Sequence, residues 1–225
     1  MYKLVKRSFD LFASGIALIV LSPVWLIAIL GIEINDPGPV FYMAPRIGRD
    51  NRQFSMFKFR SMRVAKEQQI QTLRPEEDRI FPWGRILRRL KIDELPQLLN
   101  IFLGDMAIIG PRPVATSQFD LFRAGRFDET KSVRPGLSGP AALYDYIYGD
   151  QFEDSDEQQY REKVLPTRQE LELVYVKKQS LRFDLKMIVW TVECILYSAA
   201  GKTPEKIYDR LVAWAKESAS GTDSR

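Results

Sequence analysis

The chain has no histidine and a single cysteine, Cys194. An imidazole general base, a histidine zinc site and a Cys–His dyad are therefore excluded, and no internal disulfide can form. Cys194 lies in an apolar stretch, which predicts a reduced thiol in a core or at an interface. Internal repeats are absent, and composition stays mixed until the tail, Ser218 to Arg225. An enzyme built from this set would use a carboxylate as its nucleophile or base.

The 225 residues suffice for one large domain, or one domain with appendages. A hydrophobic share of 45%, a charged share of 28% and a net charge of +4 fit a globular chain with one unusually apolar region. The basic residues cluster: Lys3, Lys6 and Arg7 open the chain, and Arg85, Arg88, Arg89 and Lys91 gather later. Such patches serve anionic phospholipid, nucleic acid or phosphorylated substrates.

From Leu11 to Ile32 there is no charge, close to the ~20 residues a helix needs to cross a bilayer. No small-residue cleavage site closes the run, which argues against a cleaved signal peptide. Ser22-Pro23 falls near its centre, where proline lacks an N–H and crowds the preceding turn, so a sharp kink is expected. The Ser22 hydroxyl is expected to bond back to the carbonyl of Leu18. Two topologies stay open. A kinked span would carry the basic remainder of the chain across the membrane, against the positive-inside rule. A helix that enters, bends at Ser22-Pro23 and leaves on the same side avoids that conflict.

Asn35-Asp36-Pro37-Gly38-Pro39 ends the membrane helix, and short strands are expected at Val40–Met43 and Phe54–Arg60 around the turn Gly48–Asn51. Lys58 and Arg60, two apart, are expected on one strand face. Residues 64–79 are polar, a surface helix or loop. A basic amphipathic helix is predicted at Ile80–Leu90, solvated or lying in a membrane interface. A second is predicted at Leu95–Leu103, with Pro96 in its first turn and Gly104 ending it. Gly110–Pro113 and Arg134–Gly139 are rigid loops, and Asp150–Glu157 is an acidic connector. Further helices are predicted at Val164–Gln179, at Leu185–Ser198 with an apolar stripe (core or interfacial, not a span), and from Thr203-Pro204-Glu205 to Glu217.

The most informative residues are Asp93-Glu94, directly after the basic helix. Asp93 is well placed to cap the helix that follows, with Glu94 complementing its dipole. The same place suits catalysis at phosphorus. A carboxylate attacking phosphate needs a divalent cation on a second carboxylate and cationic side chains on the non-bridging oxygens. Glu94, Lys58, Arg60, Arg88 and Arg112 are the right chemical types, and the sequence leaves both roles of Asp93 open.

Several longer motifs then carry a family resemblance. They are Lys6-Arg7 with Asp10, Ser22-Pro23, Pro37–Phe41, Phe57–Met62, Asp93–Gln97, Gly104-Asp105-Met106, Gly110–Pro113, Arg134-Pro135-Gly136 and Asp184-Leu185-Lys186. In this order, over about residues 1 to 200, the chain resembles the monotopic phosphoglycosyl transferases, a bacterial sugar transferase family, in a minimal catalytic form.

The resemblance implies an α+β fold, mainly helical, with a small antiparallel strand element. It implies a re-entrant membrane helix at 1–34 broken at Ser22 and Pro23, interfacial amphipathic helices and a catalytic domain at 35–200. A C-terminal amphipathic helix at 201–217 and a flexible tail at 218–225 complete the division. It implies an enzyme on the cytoplasmic face of the bacterial inner membrane. There Asp93 takes a phosphosugar from a UDP-sugar, UMP leaves, and polyprenyl phosphate accepts the phosphosugar. Glu94 would hold Mg²⁺. Lys58, Arg88 and Arg112 would bind phosphate oxygens, with Arg60 and Arg134 as further substrate-binding candidates. Membrane phospholipid is an expected partner and nucleic acid is not; a homo-oligomer is left open.

One segment departs from the family. After Arg134-Pro135-Gly136 many members continue to a Gly-Arg pair, whereas this chain reads Ser138–Asp145 and has no arginine until Arg161. Donor recognition is the function this puts in question. The alternative from another class is a non-catalytic membrane scaffold that binds anionic lipid or a partner glycosyltransferase. Only the enzyme would depend on a divalent metal and release UMP.

Overall fold

In the computed structural model, residues 1–63, 79–148 and 157–221 are described. The chain opens with α1 (Tyr2–Val20) and α2 (Ser22–Asn35), set at 59° to each other. Pro23 lies in the first turn of α2, and the N–H it lacks would have served the carbonyl of Ile19. The Ser22 hydroxyl donates to that same carbonyl at 2.8 Å. The expected acceptor was Leu18; the bond goes instead to the Ile19 carbonyl, which Pro23 cannot serve.

α1 is polar inside and apolar outside, whereas α2 buries the apolar Ala28 and Ile32 and leaves other apolar residues exposed. Asp10 and Ser14 are the buried residues of α1, while Leu4, Val5, Phe9, Phe12, Ile16, Ile19 and Val20 are exposed. Leu26, Ile27, Leu30 and Ile34 continue this exposed surface along α2. A helix in water shows the reverse pattern. Among the described residues no single helix is long and apolar enough to cross a membrane, but the bent pair together has the length and composition.

Two strands follow as expected, the first longer than its motif and the second shifted by one residue. β1 (Phe41–Ile47) and β2 (Gln53–Phe59) pair antiparallel, with Tyr42 opposite Lys58 and Ala44 opposite Met56. The connection passes through Asp50 and Asn51 with φ of 54° and 57°, a left-handed reversal that Asp and Asn tolerate better than most residues. α3 (Pro82–Arg89) and α4 (Gln97–Leu103) are the two short helices predicted around the acidic pair. Gly104, at φ 102°, ends α4, and Arg7 donates to the carbonyls of Ile101 and Phe102 at 2.6 and 2.8 Å. A cation on the last carbonyls of a helix is a favourable cap, and this one fastens α1 to α4.

A second, two-stranded sheet was not expected. β3 (Ala107–Ile109) is followed by β4 (Val114–Ala115), which pairs with the free edge of β1; after α5 (Phe119–Arg123), β5 (Gly136–Ser138) pairs parallel with β3. The parallel pair explains the glycines of two motifs. A Cβ on Gly136 would sit 2.1 Å from the Gly110 nitrogen, and one on Gly110 would sit 2.5 Å from the Arg134 carbonyl oxygen. The loops Gly110–Pro113 and Arg134–Gly136 therefore interlock backbone to backbone, closed by Gly136 N–H to Pro111 O at 2.7 Å.

The remaining helices are α6 (Pro140–Ile147), α7 (Glu157–Gln159), α8 (Leu165–Lys178), α9 (Leu181–Ala199) and α10 (Glu205–Ser220). A π-helical turn at Tyr160–Val164 joins α7 to α8. α10 runs to Ser220, so the expected tail at 218–225 begins inside a helix. α9 starts earlier than predicted because Ser180 caps it, accepting from the Phe183 N–H at 3.2 Å. The largest core cluster lies among α6, α8, α9 and α10 and includes Tyr144, Leu171, Tyr175, Met187, Leu211, Trp214 and the free Cys194. Of the predicted stripe of α9, Leu185, Val189, Val192, Ile195 and Leu196 face outward, while Ile188 packs against that core. The predicted polar segment 64–79 falls outside the described residues except for Arg79, and the acidic connector outside them except for Glu157.

Candidate active site

The acidic pair sits where α3 gives way to α4. Lys91 takes a left-handed conformation (φ 55°), uncommon for a residue with a side chain, and Ile92–Glu94 form a 3₁₀ turn. The N-cap of α4 is Pro96, with no side-chain cap bond. Asp93 therefore does not cap α4. Its side chain turns inward: the residue is 6% exposed, and Oδ1 has no hydrogen-bond partner. Leaving a buried acceptor unpaired costs about 1–3 kcal/mol, a cost that a purely structural aspartate would avoid.

Glu94 is anchored from β2. Lys58 Nζ donates to Glu94 Oε1 at 2.9 Å. Asn100, fully buried on α4, sets that reach: it accepts from the Phe57 N–H at 2.9 Å and donates to the Ser55 carbonyl at 2.8 Å. An asparagine that stitches a helix to a strand edge has no local sequence signature, and its part in the site was not anticipated.

The two carboxylates are driven apart in acidity. Burial raises the pKa of Asp93, helped by the charge of Glu94 and opposed by Lys58, Arg88 and Lys91. Burial also works against Glu94, but Lys58, Arg112 and Lys91 outweigh it and hold Glu94 down at about 2. Glu94 is thus a fixed anion, and Asp93 is the member of the pair whose charge responds to its surroundings.

Arg112 is placed by its backbone and its side chain together. Its N–H donates to both carboxylate oxygens of Glu172 on α8, at 3.1 and 3.0 Å, and its Nη1 lies 3.6 Å from Asp145 Oδ2 on α6. Burial pushes Glu172 up to about 7 despite the Arg168 charge and the Arg112 N–H. Asp145 belongs to the segment that departs from the family. It also lies 4.0 Å from the buried Arg168 and accepts from Tyr160 at 2.8 Å. In this chain an arginine from α8 thus reaches the carboxylate that holds Arg112. Lys91 lies 4.7 Å above the ring of Tyr146, the residue after Asp145.

Arg88, at the end of α3, contacts Met62 Sδ at 4.0 Å and lowers the pKa of Asp93. Lys58, Arg88, Lys91 and Arg112 therefore converge on the pair. Asp145, Arg168 and Glu172 were not foreseen, since their link to the pair runs through α6 and α8, whereas Lys91 belongs to the basic cluster already read beside the pair.

Two of the proposed residues have other partners. Arg60 lies one residue beyond β2 and is tied to Asp36, Nη1 to Oδ2 at 2.6 Å, with its guanidinium 5.8 Å from the Phe81 ring centroid. The expected common face of Lys58 and Arg60 is not formed, because the ladder stops at Phe59 and Arg60 turns to close the loop after α2. Arg134 donates from Nε to the Gly104 carbonyl at 2.8 Å, and its charged neighbours are Arg7, Arg49 and Asp10. That places it at the start of α1, apart from the cations around Asp93.

Among the described residues no group of three or more Asp, Glu, Cys or His could hold a metal ion. The adjacent Asp93 and Glu94 still suit Mg²⁺, which keeps several waters and is commonly held by one or two carboxylates together with substrate phosphates. The orphaned Oδ1 of Asp93 and the anionic Glu94 are donors of that kind.

A family model described as "Bacterial sugar transferase" matches residues 1–198. The chain is 35% identical over 198 residues to an Aeromonas hydrophila protein named UDP-N-acetylgalactosamine-undecaprenyl-phosphate N-acetylgalactosaminephosphotransferase, covering 87% of this chain and 44% of that protein. It is 32% identical over 193 residues to the UDP-glucose:undecaprenyl-phosphate glucose-1-phosphate transferase of Escherichia coli K12, covering 84% and 40%. To the exopolysaccharide production protein ExoY of Rhizobium meliloti it is 31% identical over 211 residues, covering 87% of both. The chain thus spans less than half of the first two relatives and most of the third.

Proposed function

The chain belongs to the bacterial sugar transferase family, and from that premise we propose that it moves a sugar 1-phosphate from a UDP-sugar to a polyprenyl phosphate. The observation that carries the proposal is Asp93, a buried carboxylate with one oxygen unpartnered, ringed by cations that an isolated acidic pair would not need. An Asp93 oxygen attacks the β-phosphorus of the donor. The bond from that phosphorus to the oxygen bridging to the α-phosphate breaks, and UMP leaves with the electron pair. An oxygen of polyprenyl phosphate then attacks the same phosphorus, frees the Asp93 carboxylate and carries the phosphosugar away as a diphosphate.

Glu94 and Asp93 would hold Mg²⁺, which when bound neutralises charge on the diphosphate oxygens. Lys58 keeps Glu94 anionic and oriented. Arg88 and Arg112 offer N–H groups to non-bridging oxygens, where planar, bidentate donors exceed a lysine in geometry. Arg88→Lys and Arg112→Lys are accordingly expected to lower kcat/KM by about tenfold or more each, since lysine keeps the charge and loses the fork. Near-normal turnover in both lysine variants would show that only charge is required there.

The bent α1–α2 pair enters the cytoplasmic leaflet and returns to the same side, which keeps the basic N-terminus and the phosphate-handling site on one face. The exposed apolar surface of the pair and the buried Asp10 support this topology. Pro23→Ala should restore the missing N–H, straighten the pair and admit a spanning form. Single cysteines in place of Lys3 and Asp50, read with a membrane-impermeant thiol reagent, should label from the same side in the unaltered protein. Labelling from opposite sides would exclude re-entry.

The reaction itself is tested by incubating the purified chain with a panel of UDP-sugars, polyprenyl phosphate and Mg²⁺ and measuring UMP. Turnover with one or a few donors, abolished by chelation, is expected. A scaffold that only binds anionic lipid would release no UMP with any donor.

A further inference from the structure

A second basic site lies apart from the acidic pair, where the first turns of α1 meet the end of α8 and the segment before β5. A cleft there is lined by Lys3, Lys6, Arg49 and Arg134 against the single carboxylate of Asp10. Lys6 is already neutralised, 3.0 Å from Asp184 and 3.8 Å from Asp10. Asp10 is also occupied, accepting from the Ile108 N–H at 3.2 Å. Among the described residues, the charges left over are Lys3, Arg49 and Arg134.

Neither arginine has a full complement of partners. Among the described residues Arg49 has one ion-pair partner, the exposed Asp50, whose Oδ2 lies 3.4 Å from Nε without forming a hydrogen bond to it, a contact that solvent screens. Arg134 uses Nε on the Gly104 carbonyl. Its pKa is lowered by burial and by the nearby charges of Arg7 and Arg49, the mark of a crowded cation.

The surroundings specify the kind of anion. The uncharged run of α1 begins at Leu11, directly after Asp10. Asp184, which grips Lys6 and accepts from Tyr2 at 2.8 Å, sits in α9 beside the exposed Leu181 and Leu185. Two exposed apolar surfaces therefore begin at this cleft, and a phosphate there would carry its acyl chains along them.

We propose that this cleft binds the phosphate of an anionic glycerophospholipid at headgroup level and so fixes the depth of α1 in the membrane. The site needs no catalytic role for Asp93, so it stands or falls separately from the transfer reaction.

The full chain, purified in a non-ionic detergent, is titrated with short-chain phosphatidylglycerol or phosphatidylcholine and bound lipid is counted by native mass spectrometry. Phosphatidylglycerol should be retained on the order of 30- to 150-fold more tightly than phosphatidylcholine, as two or three basic contacts predict. That preference should vanish in the double variant Lys3→Gln, Arg49→Gln and persist in Lys202→Gln, Lys216→Gln, which removes the same charge elsewhere. Lys3, Lys202 and Lys216 are exposed and Arg49 is half-buried, and an unchanged circular dichroism spectrum checks that both variants fold. Equal retention of the two lipids, or a preference that survives the first double variant, would overturn the proposal. So would displacement of the lipid by millimolar inorganic phosphate, which marks a site for free phosphate, or by stoichiometric polyprenyl phosphate, which marks the acceptor's own site.

Discussion

Asp93→Asn should yield a protein that folds, melts at or above the temperature of the unaltered chain, and has lost turnover by on the order of 10⁴- to 10⁶-fold. The two halves of that result have one physical origin. Burial raises the folded-state pKa of Asp93 above its ordinary value. A carboxyl group in that position favours the folded state when protonated, and its contribution declines as pH rises through the raised pKa. At neutral pH its charge therefore works against folding. Asparagine is nearly isosteric and uncharged, so it relieves that penalty while being incompetent as a nucleophile at phosphorus. Had Asp93 served as the cap of α4, asparagine would also have been tolerated, but with activity intact. A thermal melt alongside a UMP assay separates the two cases.

Glu94→Gln should be damaging in a different way. Glu94 is held down at about 2 by Lys58, Arg112 and Lys91 acting against burial. The depressed pKa makes its stabilising contribution complete above the unfolded value of about 4.3, with loss as pH falls toward 2. Replacing it leaves Lys58 without its anion, at a cost of about 1–3 kcal/mol in stability, and the acid limb of the stability profile should flatten between those two values. Turnover should fall about 10²-fold or more, and raised Mg²⁺ should recover part of it, as the role of metal ligand proposed for Glu94 requires. Lys58→Met provides the control: it also breaks the 2.9 Å contact, yet extra Mg²⁺ should not restore its rate. If added Mg²⁺ leaves Glu94→Gln unchanged, Glu94 is a partner for Lys58 and not a metal ligand.

What the sequence shows and what it hides divide along the range of the interactions. Asp93-Glu94 is legible because the residues are adjacent and the chain has no histidine and no second cysteine to compete for the chemistry. Ser22-Pro23 is legible because proline acts on its own turn, although the carbonyl that Ser22 rescues is Ile19 and not Leu18. The hairpin of β1 and β2 announces itself through the turn between them. The parallel pairing of β3 with β5 does not, since two three-residue strands 29 residues apart carry no local periodicity. Its trace is indirect, in the glycines of Gly110–Pro113 and Arg134–Gly136, whose need for space is visible only once each is seen against the other.

The same limit explains the arginines. Arg88 and Arg112 resemble Arg60 and Arg134 in every sequence-level respect, and only the fold sends the first two toward the acidic pair. Arg60 goes to Asp36 and Arg134 to the Gly104 carbonyl. Asn100, Asp145, Arg168 and Glu172 escape notice for the complementary reason. They act on Lys58 and Arg112 across gaps of 33 to 60 residues, and nothing near them in sequence marks the connection.

The most direct test of the central claim uses the donor alone. The purified chain is mixed with its UDP-sugar and Mg²⁺, with no polyprenyl phosphate, quenched rapidly with acid, and analysed for UMP and by intact-mass and peptide mass spectrometry. A nucleophilic Asp93 predicts a burst of about one equivalent of UMP per enzyme and a phosphosugar adduct on the peptide containing Asp93, both absent from Asp93→Asn. UMP release that begins only when polyprenyl phosphate is added, with no mass increase on any peptide, would contradict it and assign the reaction to direct transfer between the two substrates.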